Sequence, residues 1–134
     1  MKIFGVGTDI VKTNRIQKLL KRENILEKLF NKDEIIKCKR IKNTANCFAK
    51  RFAAKEAFSK ALGTGISKGI NFNEIVILNE KNGKPFIKLI EDTKKNVEKK
   101  LRKKSYKISL SLTDEDEFAV AFVTISLWIK ELKA

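Results

Sequence analysis

Apolar and polar positions alternate over residues 3–8, which predicts a strand, with Gly5 and Gly7 on one face where another group can approach closely. Over 13–22, Ile16, Leu19 and Leu20 recur at helical spacing and Lys18, Lys21 and Arg22 take the remaining positions, so a first helix is expected. Asn31-Lys-Asp-Glu34 has the form of a capping box and opens a short helix carrying Ile35 and Ile36. The strongest helical pattern covers 44–62: Phe48, Phe52, Ala53, Phe58 and Leu62 form a broad apolar face, and Gly63 is a natural stop. Residues 72–78 and 85–90 read as strands joined through Asn82-Gly83, a hairpin signal. Over 91–104, Val97 and Leu101 stand opposite lysines, which predicts a surface helix. Residues 108–112 and 118–127 close the chain as two strands around an acidic turn at 114–117. The order β-α-α-α-β-β-α-β-β implies an α+β fold, a mostly antiparallel sheet packed with helices.

Length and composition narrow this further. The 134 residues suit one domain, 1–134, and a single proline leaves no candidate linker. The longest apolar runs are a few residues, far short of a bilayer span, so no membrane partner is expected. No secretory pattern frames the first strand, and a targeting segment would lie upstream. The chain has no histidine, which excludes a Ser-His-Asp triad, a Cys-His pair, a histidine base and His-rich zinc sites within one chain. Cys38 and Cys47 match no CxxC spacing and are expected as reduced core thiols. Carboxylates, lysines, arginines and hydroxyls are left for chemistry.

The net charge of +14 favours an anionic partner, although a lysine-rich coding bias also accounts for part of the excess. Two places draw attention within it. Asp9 follows the glycine-flanked strand, where a carboxylate can hold a cation; the plain counterpart is a helix N-cap. In Arg51-Phe-Ala-Ala-Lys55-Glu56-Ala-Phe-Ser-Lys60, the pairs Arg51/Lys55 and Glu56/Lys60 are each four apart on one helix face. An acid among bases and alanines suits Mg²⁺ on the acid and phosphate on the bases; the plain counterpart is a ladder of surface ion pairs worth ~0.3–0.5 kcal/mol each.

Taken in order, Gly5-Val-Gly-Thr-Asp-Ile-Val, the block from Arg51 through Gly63-Thr-Gly65 to Ile66, Asn82-Gly-Lys-Pro85, and Ser109-Leu-Ser with Phe118-Ala-Val-Ala-Phe-Val123 resemble the holo-acyl-carrier-protein synthases. These are the small bacterial-type 4′-phosphopantetheinyl transferases, and the resemblance covers nearly the whole chain. It implies transfer of 4′-phosphopantetheine from coenzyme A to a serine of apo acyl carrier protein, with adenosine 3′,5′-bisphosphate as the other product. It implies Mg²⁺ on Asp9 and Glu56, and Glu56 and Lys60 as the catalytic pair. Coenzyme A contacts fall to Arg51, Lys55, Ser59, Lys60, Gly63, Thr64, Gly65, Asn82, Gly83, Lys84, Pro85, Ser111 and Thr113, with Arg40 and Lys42 near the 3′-phosphate. The first helix, through Arg15, Lys18, Lys21 and Arg22, would receive the acidic carrier protein. Homotrimers with sites between protomers are implied as well.

Phosphoryl transfer needs positioning and charge neutralisation more than a nucleophile of the enzyme's own. The attacking serine belongs to the partner, so the missing histidine does not forbid the reaction. Its proton goes to Glu56, a Mg²⁺-bound water or a carrier-protein carboxylate. The chain departs from the family where Leu112 stands in place of a histidine, and where about two extra residues fall within 114–117. The histidine's contribution is then either lost or supplied by Ser111, Thr113 or a basic residue elsewhere. Two rival readings are a binding-only relative and a nucleic-acid module built on Lys94 to Lys107, which holds eight bases and one acid. The second lacks stacking aromatics, an RNP-like block and zinc ligands, so nucleic acid is not expected as the partner. High Lys, Asn and Ile point to an AT-rich genome, leaving bacterial cytoplasm or, with an upstream transit segment, a plastid-like organelle.

Overall fold

The computed structural model describes residues 1–63 and 69–128. Strand β1 (Lys2–Lys12) leads into α1 (Thr13–Leu19), α2 (Glu23–Leu29), α3 (Lys32–Arg40) and the long α4 (Thr44–Leu62). A 3₁₀ turn (Phe72–Glu74) precedes β2 (Ile75–Asn79) and β3 (Pro85–Leu89). Helix α5 (Glu91–Lys100) and strands β4 (Tyr106–Glu115) and β5 (Phe118–Leu127) follow. The fold is α+β and every strand pair is antiparallel, as the pattern implies, but the strands make two sheets, β1-β5-β4 and the hairpin β2-β3. Among the described residues no helix is long and apolar enough to cross a membrane.

The backbone of α4 lies directly on β1. A Cβ added to Gly5 would stand 1.9 Å from the Ala61 carbonyl oxygen, and one added to Gly7 1.9 Å from that of Ala57. The group that approaches these glycines is therefore a helix, and Ala57 and Ala61 are the small residues that let it in. Ala119, Ala121, Val123 and Ile125 of β5 complete the buried face beneath it. Helix α4 is covered nearly all round, with Phe48, Ala49, Phe52, Ala53, Ala54, Phe58 and Leu62 buried as well, rather than on one face only. It ends where expected, at Gly63 with φ of 85°.

Local signals held elsewhere too. Asn31 Oδ1 accepts from Asp33 N and Glu34 Oε1 from Asn31 N, which is the capping box of α3. Helix α2 is an addition to the expected order. Its seven residues span too few turns for periodicity to show, no side chain caps it, and packing of Leu26 and Phe30 holds it. Helix α5 stops four residues early because Arg102 and Lys103 adopt left-handed backbone (φ 55° and 56°). The 72–78 strand begins as a 3₁₀ turn, and β4 runs on through Glu115, so the acidic turn shrinks to Asp116-Glu117.

The cysteines correct the sequence expectation. Cys38 and Cys47 form a disulfide joining α3 to α4. The turn between the two helices brings their Cα atoms to 5.4 Å, a separation that nine residues of chain do not reveal.

Candidate active site

Asp9 lies within β1, two residues beyond Gly7 and on the same face, so it too looks toward α4. It is not a helix cap; Lys12 holds that position for α1. Opposite it, Glu56 and Lys60 sit one turn apart on α4. Lys60 Nζ donates to Asp9 Oδ1 (3.2 Å) and to the Thr8 carbonyl (2.9 Å). The Glu56–Lys60 ladder suggested by spacing is thus replaced by a strand-to-helix pair. Glu56 is half-buried, and burial first, then the Asp9 charge, raise its pKa above the usual carboxylate value, against the opposing pull of Lys60 and Arg15. Two carboxylates and a cation therefore converge where β1 meets α4. Beside them opens a cleft of about 680 Å³, lined by Arg15, Leu19, Phe52, Glu56 and Phe72 among others. Arg15 reaches over the Phe52 ring, 5.7 Å from its centroid.

A second group of cations gathers on the far side of α4. Arg51 is buried; its Nη1 donates to the Cys47 carbonyl (3.3 Å) and its Nη2 to Asn79 Oδ1 (3.1 Å). Lys37 Nζ donates to that same amide oxygen. Burial and the Arg51 charge both lower the Lys37 pKa. Asn79 Nδ2 in turn donates to the Gly83 carbonyl, which ties the cations to the hairpin tip. There Asn82 Oδ1 accepts from Lys84 N, Gly83 adopts φ of 92°, and Pro85 pairs with Asn79. Lys37 and Asn79 were absent from the sequence candidates. Lys37 opens the stretch Lys37 to Lys42, where the resemblance places bases for the 3′-phosphate, although the spacing singles out Arg40 and Lys42; Asn79 carries no signal.

Two candidates are corrected. Lys55 is fully buried, with Nζ bonded to Glu34 Oε1 (2.7 Å) and to the Phe72 and Ile75 carbonyls (2.7 and 2.6 Å). All three donors are taken inside the protein, so Lys55 is not a phosphate ligand. Burial lowers its pKa to about 8, against the pull of Glu34. Ser59 is buried and donates to the Lys55 carbonyl, so it too faces inward.

The remaining candidates scatter. Ser111 and Thr113 lie on the outer face of the large sheet, opposite the face that carries Asp9. Leu112 packs inward against the core. Arg40 and Lys42 are exposed at the end of α3 and just beyond it. Arg15 and Lys18 are on α1, whereas Lys21 and Arg22 fall in the turn after it, because α1 ends at Leu19. Thr64 and Gly65 lie outside the described residues. Asp114, suspected of belonging to an insertion, accepts from Asn46 Nδ2 (3.1 Å) and stands 3.7 Å from Lys50 Nζ.

The sequence model of the 4′-phosphopantetheinyl transferase superfamily matches residues 5–123. The chain belongs to that superfamily. Within it, the chain is 44% identical over 125 residues to the holo-[acyl-carrier-protein] synthase of Pelagibacter ubique, covering 93% of this chain and 98% of the relative. The crystal structure of the Neisseria meningitidis holo-[acyl-carrier-protein] synthase superposes with a TM-score of 0.83 at 36% identity, over 92% of this chain and 98% of that one. The Helicobacter pylori synthase, crystallised in complex with coenzyme A, gives 0.76 at 33% identity, over 90% and 99%. The protein is thus an enzyme of the holo-[acyl-carrier-protein] synthase type.

Proposed function

We propose that this synthase transfers 4′-phosphopantetheine from coenzyme A to a serine of apo acyl carrier protein in a Mg²⁺-dependent reaction, releasing adenosine 3′,5′-bisphosphate. The observation that carries this reading is the convergence of Asp9, Glu56 and Lys60 beside an open cleft. The donors suit the metal. Among the described residues no third acid, cysteine or histidine joins the two carboxylates, and Mg²⁺ takes one or two protein carboxylates, filling its octahedron with phosphate and water. Glu56 is raised partly by Asp9, so the pair carries a like-charge cost that a divalent cation relieves. Bound there, the metal would neutralise the pyrophosphate of coenzyme A.

The chain's own residues supply the rest. Lys60 is exposed on its side chain and has two acceptors among the described residues, which leaves an N–H for a pyrophosphate oxygen. Its positive charge would stabilise the leaving bisphosphate as the carrier-protein serine oxygen bonds to phosphorus and the P–O bond to the bisphosphate breaks. The serine proton leaves to water; Glu56 committed to a cation is a poor base. Lys37, Arg51 and the hairpin tip at Asn82–Pro85 are assigned to the 3′-phosphate and adenosine, and the apolar cleft to the pantetheine arm. Exposed Arg15, Lys18, Lys21 and Arg22 form the carrier-protein surface.

The test is the intact mass of an apo acyl carrier protein after incubation with the enzyme, coenzyme A and Mg²⁺. A gain of one phosphopantetheine, absent with EDTA, is expected. No gain in a folded sample would leave a binding-only relative as the reading.

We further propose a homotrimer. The outer face of β1-β5-β4 exposes Val6 (55%), Ile10 (63%) and Phe122 (47%), more apolar surface than one sheet face normally leaves to water. Ser111 and Thr113 share that face, so a second copy would be needed to bring them to a site. Sedimentation is expected to show three 15.4 kDa chains; an active monomer would refute shared sites.

A further inference from the structure

Two cations sharing one neutral oxygen is an unstable arrangement unless something holds them together. Lys37 and Arg51 both donate to Asn79 Oδ1, and no carboxylate within the described contacts pairs with either. Arg51 Nε is buried with no partner among the described residues. Lys37 precedes Cys38 on α3, and Arg51 follows Cys47 by one turn on α4. The Arg51 Nη1 atom lies 3.2 Å from Cys47 Sγ, so the disulfide touches the guanidinium itself. Nearer its start, α3 is fixed to α4 by the Glu34–Lys55 pair. At the Lys37 end, the short turn at residues 41–43 joins the two helices, and the disulfide adds a cross-link one turn inside it, against the mutual repulsion of the two cations.

We infer that the Cys38–Cys47 disulfide is a positioning cross-link, which holds Lys37 against Arg51 so that a phosphate dianion meets a ready-made pair of cations. This rests on the coenzyme A reading, in which that dianion is the 3′-phosphate. The disulfide touches no substrate. It acts through Arg51 and through the placement of α3, and an arranged pair avoids the ordering cost of bringing two long side chains together on binding. Both cysteines are buried, so the bond is sheltered from exchange with outside thiols.

Calorimetric binding of adenosine 3′,5′-bisphosphate and of 5′-AMP separates this role from a general structural one. The proteins compared are the oxidised wild type, wild type unfolded, reduced by dithiothreitol and refolded under reductant, and Cys38→Ser/Cys47→Ser. Reduction transfers two electrons and two protons from the dithiol to the disulfide, giving two thiols and oxidised dithiothreitol. Both forms without the disulfide are expected to bind the bisphosphate about tenfold more weakly, with 5′-AMP affinity unchanged. Arg51→Gln should produce the same selective loss, and adding it to the serine pair should cost little more, because both act on one contact. Equal loss on both nucleotides, or no loss, overturns the positioning role. Alkylation of both cysteines in denatured, unreduced protein overturns it directly. If the oxidised wild type binds neither nucleotide, the coenzyme A reading itself fails. Should the serine pair not fold, the reduced wild type, assayed below its melting temperature, gives the same comparison.

Discussion

Asp9→Asn and Glu56→Gln each leave a folded protein whose Mg²⁺-dependent transfer falls by at least about 10²–10³-fold, the scale for removing one preorganised electrostatic contact. The two residues come from different elements, β1 and α4, and each change removes one charge from the same place. The stability of Glu56→Gln is the telling companion measurement. Burial and Asp9 raise the Glu56 pKa, so between its unfolded and folded values the folded state binds more protons than the unfolded chain. Any stability from that shift is present below the ordinary carboxylate value and is lost as pH rises through the folded value. At neutral pH the ionised carboxylate is therefore a cost, and without metal the glutamine variant should melt no lower than wild type. Mg²⁺ at a hundredfold excess over its dissociation constant should stabilise wild type by about 2.7 kcal/mol and neither variant. Wild-type-like turnover in either variant would remove the metal assignment. A collapse of the fold in metal-free Glu56→Gln would mean the carboxylate is structural.

Lys55→Met, one residue away, has the opposite signature: about 3–5 kcal/mol of stability lost, the cost of leaving a buried carboxylate without its partner. Glu34 Oε1 accepts from Lys55 and from Asn31 N, and Oε2 from Ile77 N, so one carboxylate links α3, α4 and β2. With the ammonium gone, that charge stays in a site closed to water. Glu34→Gln in the same chain should recover part of the loss, since the amide keeps an acceptor without the charge. Urea unfolding of the two single variants and the double gives the coupling directly. A surface phosphate ligand would instead raise the coenzyme A KM and leave the unfolding midpoint where it was, and that result would overturn the buried assignment.

Elements with a complete local signal were legible in the chain. The capping box needs only Asn31 and Glu34 three residues apart; α4 needs a long run of helix formers and a glycine stop; the β2-β3 hairpin needs Asn82-Gly83. Helix α2 had no such signal and was missed. The candidate site was legible in part, as identities on motifs: Asp9, Glu56, Lys60 and Arg51 stand together in the folded chain in two groups, one on each side of α4.

The sequence by itself determined the α+β class, the central helix, the family motifs and the strong positive charge, because each depends on residue type and short-range spacing. Only the tertiary structure decided which way the bases of α4 point. That helix is packed nearly all round, so its apolar pattern has no single face from which to read direction. Lys55 turns inward to Glu34 while Lys60, five residues on and rotated about 140° around the axis, turns outward to Asp9. Three further features follow from the same cause. The meeting of Asp9 with Lys60 depends on β1 and α4 touching backbone to backbone; the disulfide depends on the turn between α3 and α4; and the placement of Lys37 beside Arg51 depends on both helices at once. Each joins residues whose approach is set by packing between elements, and local sequence carries no record of that packing.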